Sequence, residues 1–340
     1  MRSELPTTTQ GFVLARDMRE AGREAELYAA VQSGRLQRVR RGVYSAPRPD
    51  DGAMTPPEND ALRYRALVRA AAQSLDRPVF TSYSAAALLE LPVLGRWPDS
   101  VYVMSRDSNG NRRPGVISVA RTTDTHIRHV GGFAVTSVEF TLIQLCRHAS
   151  LGAALTAVDA ALHAGRTFRA PPPLTTIDRL VEEHERLKPY PGSRRTDEVL
   201  RRATHLAETP LETASRLVIE ELGFPPPELQ RELWLPELGR RAYLDFGWPE
   251  YDIGAEADGR GKYRGSGDVE VAIDTVMKEK EREDEIRRLI RAFTRWDWNE
   301  MWARRPIDRR LRRAGLPVVR RPRRLLVASD RFALRANAGE

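Results

Sequence analysis

Cysteine is almost absent: Cys146 is the single one in 340 residues. An intrachain disulfide is thereby excluded, and so is a zinc site built on cysteines. Histidine is scarce too, and His126, His129, His148 and His163 show no spacing that suits a metal. No apolar run is long enough to span a bilayer. The opening MRSELPTTTQ lacks the apolar stretch of a secretory signal. The expectation is a cytoplasmic protein with no membrane partner.

Lysine is the most telling shortage. Of 55 basic residues only four are lysine, namely Lys188, Lys262, Lys278 and Lys280. Three of these fall within twenty residues, beside a cluster of acids. In a chain that otherwise uses arginine, a lysine points to a place where a compact, tunable charge serves better than a wide guanidinium fork.

What is present is charge. The net charge is +8 and the isoelectric point about 9.9. That balance favours polyanionic partners, nucleic acid first. It also fits a chain that is simply rich in arginine. Hydrophobic residues make up 41%, enough for real cores, and the length suits two or three domains. No internal repeat is visible. Proline- and glycine-rich breaks at Ala46–Pro57, Ala170–Pro173 and Pro189–Gly192 divide the chain. The expected organisation is a DNA-binding head (1–48), a middle α/β domain with a helical connector (58–200), a third domain (201–303) and an arginine-rich tail (304–340). The expected fold class is α/β, in the sense of mixed α+β.

The head reads as helix, turn, helix, hairpin. One helix is expected near Val13–Glu20, with a turn at Gly22. A second is expected over Arg23–Gln32, with Leu27, Ala30 and Val31 on one face and Gly34 as its stop. Leu36–Ala46 reads as a β-hairpin with Arg41-Gly42 at its tip. This is the layout of a winged helix. Arg35, Arg38, Arg40 and Arg41 would then meet phosphate or a minor groove. A small folding subdomain with a solvated basic hairpin is the other reading.

The run EAGREAELYAAVQSGRLQRVRRGVYSA, chiefly Gly34–Tyr44, resembles the N-terminal domain of the AbiEi family, antitoxins of abortive-infection toxin–antitoxin systems. The likeness continues through Thr81–Leu94 and Val135–Gly165. It implies an α/β middle domain and brings no catalytic residue. Read alone, Val101–Met104 and Val116–Ala120 look like strands, and Val138–Cys146 and Leu151–His163 like helices.

Chemistry concentrates between Thr209 and Met301. TPLE sets Thr209 at an N-cap, Pro210 at the first helical position and Glu212 three residues on, a capping box that opens an apolar helix ended by Gly223. RAYLDFGW and YDIGAEADG follow as strands joined by a tight turn at Pro249-Glu250. Tyr243 and Asp245 share one face of the first strand, and Glu256 and Asp258 one face of the second. A turn centred on Glu250-Tyr251 places Asp245 across from Glu256, with Cβ atoms about 5 Å apart. Like charges that close need a cation between them, and Mg²⁺ suits an oxygen-only pair. The alternative is an exposed face on which the acids diverge into water.

This stretch resembles the PD-(D/E)XK nuclease superfamily, in particular the branch similar to very-short-patch-repair endonucleases. The matching segments are PLE (Pro210–Glu212), PPPELQ (Pro225–Gln230), LDFGWPEY (Leu244–Tyr251), EADGRGKY (Glu256–Tyr263), EKEREDEI (Glu279–Ile286) and RWDW (Arg295–Trp298). The resemblance implies a mixed sheet flanked by helices. It implies that Asp245 and Glu256 bind Mg²⁺ or Mn²⁺, and that Glu212 and Gln230 support them, Glu212 being equally readable as a capping residue. Asp258 stands where the superfamily has its lysine, so that role would pass to Lys262 or Lys280. Arg282 would touch phosphate or brace the acids. Gly254, Ala255 and Ala257 replace bulkier residues, which predicts weak packing of that strand, and Ile290 stands where glycine is frequent. Beyond Trp302 lie ten arginines and one aspartate between Arg304 and Arg324. Arg309, Arg310, Arg312 and Arg313 are the expected phosphate contacts there, unless they form only a solvated helix. Trp296, Trp298 and Trp302 are expected to pack internally.

Two functional readings lead. One is a Mg²⁺-dependent DNA endonuclease acting on double-stranded DNA, in phage defence or repair. The other is an antitoxin-like transcriptional repressor with an inert nuclease fold and a cognate toxin as partner. A protein–protein adaptor with a basic tail is a weaker third.

Overall fold

In the computed structural model of the chain, the described residues are 5–48, 52, 54–121, 124–165, 171–259 and 269–332, with the backbone alone described at 269–276. The fold is mixed α/β, as expected. Contacts divide it into two compact units. Unit 1 holds residues 1–148, 182–193 and 332–340, and unit 2 holds 149–181 and 194–331.

Unit 1 opens with β1 (Val13–Leu14), α1 (Ala15–Glu20), α2 (Glu24–Gln32), β2 (Gln37–Arg40) and β3 (Val43–Ser45). The expected first helix starts two residues late. Val13 and Leu14 instead pair antiparallel with Tyr44 and Val43, which makes the hairpin a three-stranded sheet. Gly22, Gly34 and Gly42 all take positive φ, at the three turns where the sequence placed them. One face of the sheet joins Val13 to Met18, Leu27, Ala30 and Leu36. Phe12, Leu14 and Val43 form a second cluster with Ala70 of α3 (Pro56–Ser74). The head is thus packed on the middle segment and shares a core with it.

The rest of unit 1 comprises α4 (Ser82–Leu88), β4 (Val101–Met104), β5 (Asn111–Arg113), β6 (Val116–Val119), β7 (Ile127–Val130), β8 (Phe133–Thr136) and α5 (Val138–His148). β4 and β6 run parallel, and β5 lies antiparallel on β6. Single bridges from Phe80 to Val103 and to Val135 connect them to the β7–β8 hairpin. Buried Tyr64 of α3 bonds the Ser84 hydroxyl and the Ser100 carbonyl, which fixes α3 to α4 and β4.

Along the chain the first change from unit 1 to unit 2 falls at His148–Ala149. The reason is α6 (Leu151–Leu162), which packs on α9 (Pro210–Glu221). Their interface buries Asp159, and its carboxylate accepts from Thr213 Oγ1, Arg216 and the Thr204 amide. A buried charge without such partners would cost several kcal/mol, roughly, so the pairing commits α6 to unit 2. The chain crosses between the units within α7 (Ile177–Leu187) and at the start of α8 (Ser193–Leu200).

Unit 2 continues with β9 (Glu228–Leu235), β10 (Arg240–Trp248), β11 (Ile253–Ala257), α10 (Val269–Leu289), β12 (Ala292–Trp296), α11 (Trp298–Ala303) and α12 (Arg305–Arg313). The sheet order is β12-β11-β10-β9. β9, β10 and β11 form an antiparallel meander, and α10 carries the chain over to β12, parallel to β11. The expected weak packing of β11 is not found. At Gly254 an added Cβ would collide with the ends of Leu244 and Ile290, so those side chains fill the room a bulkier residue would need. Gly254 and Ile290 are complementary departures, and Ile290 joins Leu235, Ala242, Leu244, Ile286 and Phe293 in one cluster.

The arginine-rich segment is no free tail. Ile307 and Leu311 are buried on one side of α12. The chain after it lies along α9: Val319 and Arg320 donate to the Gly223 carbonyl, and Arg323 to the Glu221 carbonyl. Gly223 has φ +82°, and a Cβ there would run into the Arg320 carbonyl. Gly223→Ala should therefore cost about 2–3 kcal/mol or more, through strain and clash together. Gly239→Ala, with φ +59° and open space around it, should cost clearly less. Urea melts of both variants decide this, and equal losses would refute the packing argument.

Candidate metal and phosphate site

The site grows from one row across the sheet of unit 2. Phe246 pairs with Ala255 and Gly247 with Gly254, so the register brings Asp245 beside Glu256. This is the pairing expected from a turn centred on Glu250-Tyr251. On the other side Gln230 lies between the pairs Leu229–Phe246 and Arg231–Leu244, facing Asp245. Gln230 takes φ +55°, a rare conformation for a residue with a side chain, and it interrupts the ladder there. Glu256 in turn pairs with Arg295 of β12. Gln230, Asp245, Glu256 and Arg295 thus form successive positions of one row.

Helix α9 adds Glu212. Thr209 caps the helix by accepting from the Glu212 amide at 3.2 Å, as the sequence predicted. The Glu212 carboxylate does more than cap. It accepts from the Glu208 amide (3.0 Å), the Thr209 hydroxyl (2.8 Å) and the Gln230 side-chain amide (3.1 Å). Glu212 thus joins the start of α9 to Gln230 of β9. Burial raises its carboxyl above the usual range, and the nearby charge of Glu208 adds to this.

Asp245 is strongly perturbed. Burial first, then the charges of Glu212, Glu256 and Glu208, push it up to about 7, against the one stabilising hydrogen bond from the Ala257 amide at 2.8 Å. No cationic side chain among the described residues pairs with it. Glu256 is the opposite case. Arg282 holds one oxygen at 2.6 Å and Arg295 the other at 2.7 Å. Arg282 also donates to the Tyr243 carbonyl at 3.1 Å. It thereby joins Glu256 to the backbone of β10. Arg295 reaches Glu279, Glu283 and, at 3.8 Å, Asp258. Burial works against both guanidinium charges, but the bonds to Glu256 and Glu279 hold them above their ordinary values.

The remaining expectations divide. Asp258 sits at the edge of the cluster, its amide bonded to the Trp296 carbonyl. Lys280 is exposed and bonds no described residue, because Glu279, Arg282 and Glu283 take the sheet-facing side of α10. Lys262 lies outside the described residues. Arg295, to which the sequence assigned no role, carries the charge balance. Its signal was the parallel register with Glu256, which only the α10 crossover creates.

Among the expected phosphate contacts, Arg40 turns inward, half-buried near the Gly115 carbonyl, and its charge is disfavoured by burial and by Arg113. Arg35 bonds Ser33, and Arg38 and Arg41 are exposed. On α12, Arg310 is spent on Glu300 and the Arg295 carbonyl, and Arg312 on Asp308. Arg309 and Arg313 are exposed and pair with no described residue. Trp296 is buried, stacked on Phe246 and bonded to Ser215.

No family model matches the chain. Two uncharacterised proteins of Mycobacterium tuberculosis, one from strain CDC 1551 and one from strain H37Rv, are each 28% identical to it over 235 residues, 68% of this chain and 76% of theirs. Among the described residues, no helix is long and apolar enough to cross a membrane.

The raised carboxyl of Asp245 has a consequence for stability. Its folded pKa, about 7, lies above the unfolded value near 4. Between these values the folded state holds a proton that the unfolded state has released, so stability falls as pH rises through that window. In metal-free buffer at pH 8, Asp245→Asn should be more stable than wild type by about 1–3 kcal/mol, and the difference should vanish near pH 4. Thermal melts across this range test it, and a less stable variant at pH 8 would contradict the reading.

Proposed function

We propose that unit 2 is a divalent-cation-dependent phosphodiesterase of the PD-(D/E)XK type acting on double-stranded DNA, in a cytoplasmic protein. The observation that carries this is Asp245, half-buried, which lacks a cationic partner among the described residues and stands beside the buried Glu212 and Glu256. Burying carboxylates together is costly, and an ion that replaces the shared proton removes the cost. The donors are all oxygens, which suits Mg²⁺ or Mn²⁺. Asp245 and Glu212 would hold the ion, with Glu256 at the margin of the set. When bound, it would supply an activated water and draw charge from the phosphoryl group.

The chain's own residues have defined tasks. The Ala257 amide fixes one oxygen of Asp245, and no described residue bonds the other. Gln230 orients Glu212 from the neighbouring strand. Arg282 and Arg295 hold Glu256 and set a fixed positive charge where a scissile phosphate would approach. Their presence offsets the missing lysine at Asp258.

One observation favours the second reading. Both oxygens of Glu256 are already occupied by arginine, which suits an inert fold that grips DNA, in an antitoxin-like repressor with a cognate toxin partner. Calorimetric titration of Mg²⁺ and Mn²⁺, with plasmid nicking on the same samples, separates the two. For the phosphodiesterase, wild type binds and nicks, Asp245→Ala does neither, and Gln230→Ala binds the ion about 10–100-fold more weakly, as loss of an orienting partner does. No ion binding by wild type, with duplex DNA still bound, would establish the repressor instead.

A further inference from the structure

Unit 1 carries its positive charge in an unexpected place. A winged helix offers its second helix to the major groove. Here that helix, α2, reads EAELYAAVQ and holds no basic residue. Its acids Glu24, half-buried, and Glu26, exposed, engage Arg19 and Arg23. Two carboxylates and no free cation make a poor face for a groove walled by phosphates.

The opposite side of the head is different. A cleft of about 770 Å³ opens between the β2–β3 hairpin and α3. Arg38 from β2, Arg48 just beyond β3 and Arg69 from α3 line it. All three are exposed, and none bonds or pairs with a described residue. Arg63 and Arg65 also line it but are held by Asp60, Asp99 and Glu90. Asp99 is the single acid among the described lining residues. The walls are fixed in relation to each other, because Phe12, Leu14 and Val43 bury against Ala70 of α3 beneath the hairpin. Three unneutralised guanidinium groups held around one concavity repel one another, and an anion relieves this. Guanidinium forks match phosphate oxygens in pairs.

We infer that this cleft, and not α2, is where unit 1 takes a phosphodiester backbone. Arg38, Arg48 and Arg69 bind successive phosphates, and Arg63 and Arg65 shape the groove. The inference shares with the hydrolase reading only the choice of nucleic acid as partner.

The test uses the full chain and fluorescence anisotropy of a labelled short duplex, from about 50 to about 200 mM salt. Arg38→Gln/Arg48→Gln/Arg69→Gln should reduce the salt slope by about 3, roughly one for each phosphate that an arginine no longer neutralises. The matching lysine triple should keep the slope, which separates removal of charge from a damaged fold. Tyr28→Ala/Gln32→Ala, on α2, should change nothing. Polyglutamate at matched ionic strength should fail to displace the duplex. An unchanged slope in the glutamine triple, weakened binding in the α2 variant, or displacement by polyglutamate would each overturn the inference. An unchanged slope together with ion-dependent nicking would remove the cleft and leave the hydrolase intact. No duplex binding by any form, wild type included, would remove both.

Discussion

Helix α9 is buried nearly all round, and unit 2 is organised by the need to find partners for the polar side chains on it. A polar group left unpaired inside a protein costs about 1–3 kcal/mol, and more if charged. On α9, Glu212 meets Thr209, the Glu208 amide and Gln230; Thr213 and Arg216 meet Asp159; Ser215 meets Trp296. At its C-terminal end, burial pushes Glu220 up, but Arg202 and Arg323 outweigh it and bring the carboxyl down to about 2. Glu221 accepts from Arg304 and from the amides of Leu325 and Leu326. These partners come from several elements, so this one helix draws in α6, β9, β12 and the C-terminal segment.

The same constraint gives the acidic site its character. Charges on the sheet row are not evenly balanced. Glu256 is neutralised on both oxygens, whereas Asp245 one strand away has a single amide donor and three acidic neighbours. That imbalance raises the Asp245 carboxyl, and a bound proton relieves it. The strained backbone at Gln230 belongs to this arrangement, because it turns the side-chain amide to Glu212 and leaves Asp245 without it.

Arginine has two distinct uses in the chain. Arg202, Arg216, Arg282, Arg295, Arg304 and Arg310 are structural ties that hold buried or half-buried acids. Arg38, Arg48, Arg69, Arg309 and Arg313 are exposed and pair with no described residue. Net charge does not separate these classes, since both contribute equally to it. The second class can meet a polyanion without first giving up a partner among the described residues.

Local signals in the sequence were sufficient wherever they were short-range. The Thr209–Glu212 cap, the glycines at the head's turns, the hairpin register that sets Asp245 beside Glu256, and the α/β class all follow from spacing within a few residues, because backbone sterics and side-chain periodicity act at that range. The start of α1 was misplaced because Val13 and Leu14 find strand partners thirty residues away in β3. The tie of α6 to α9, the filling of Gly254 by Ile290, the inward turn of Arg40, the exposure of Lys280 and the hold of Arg295 on Glu256 all join residues distant in the chain. Tertiary structure alone decided these, for burial and charge pairing are set by which surfaces meet, and that meeting is not written in any one segment.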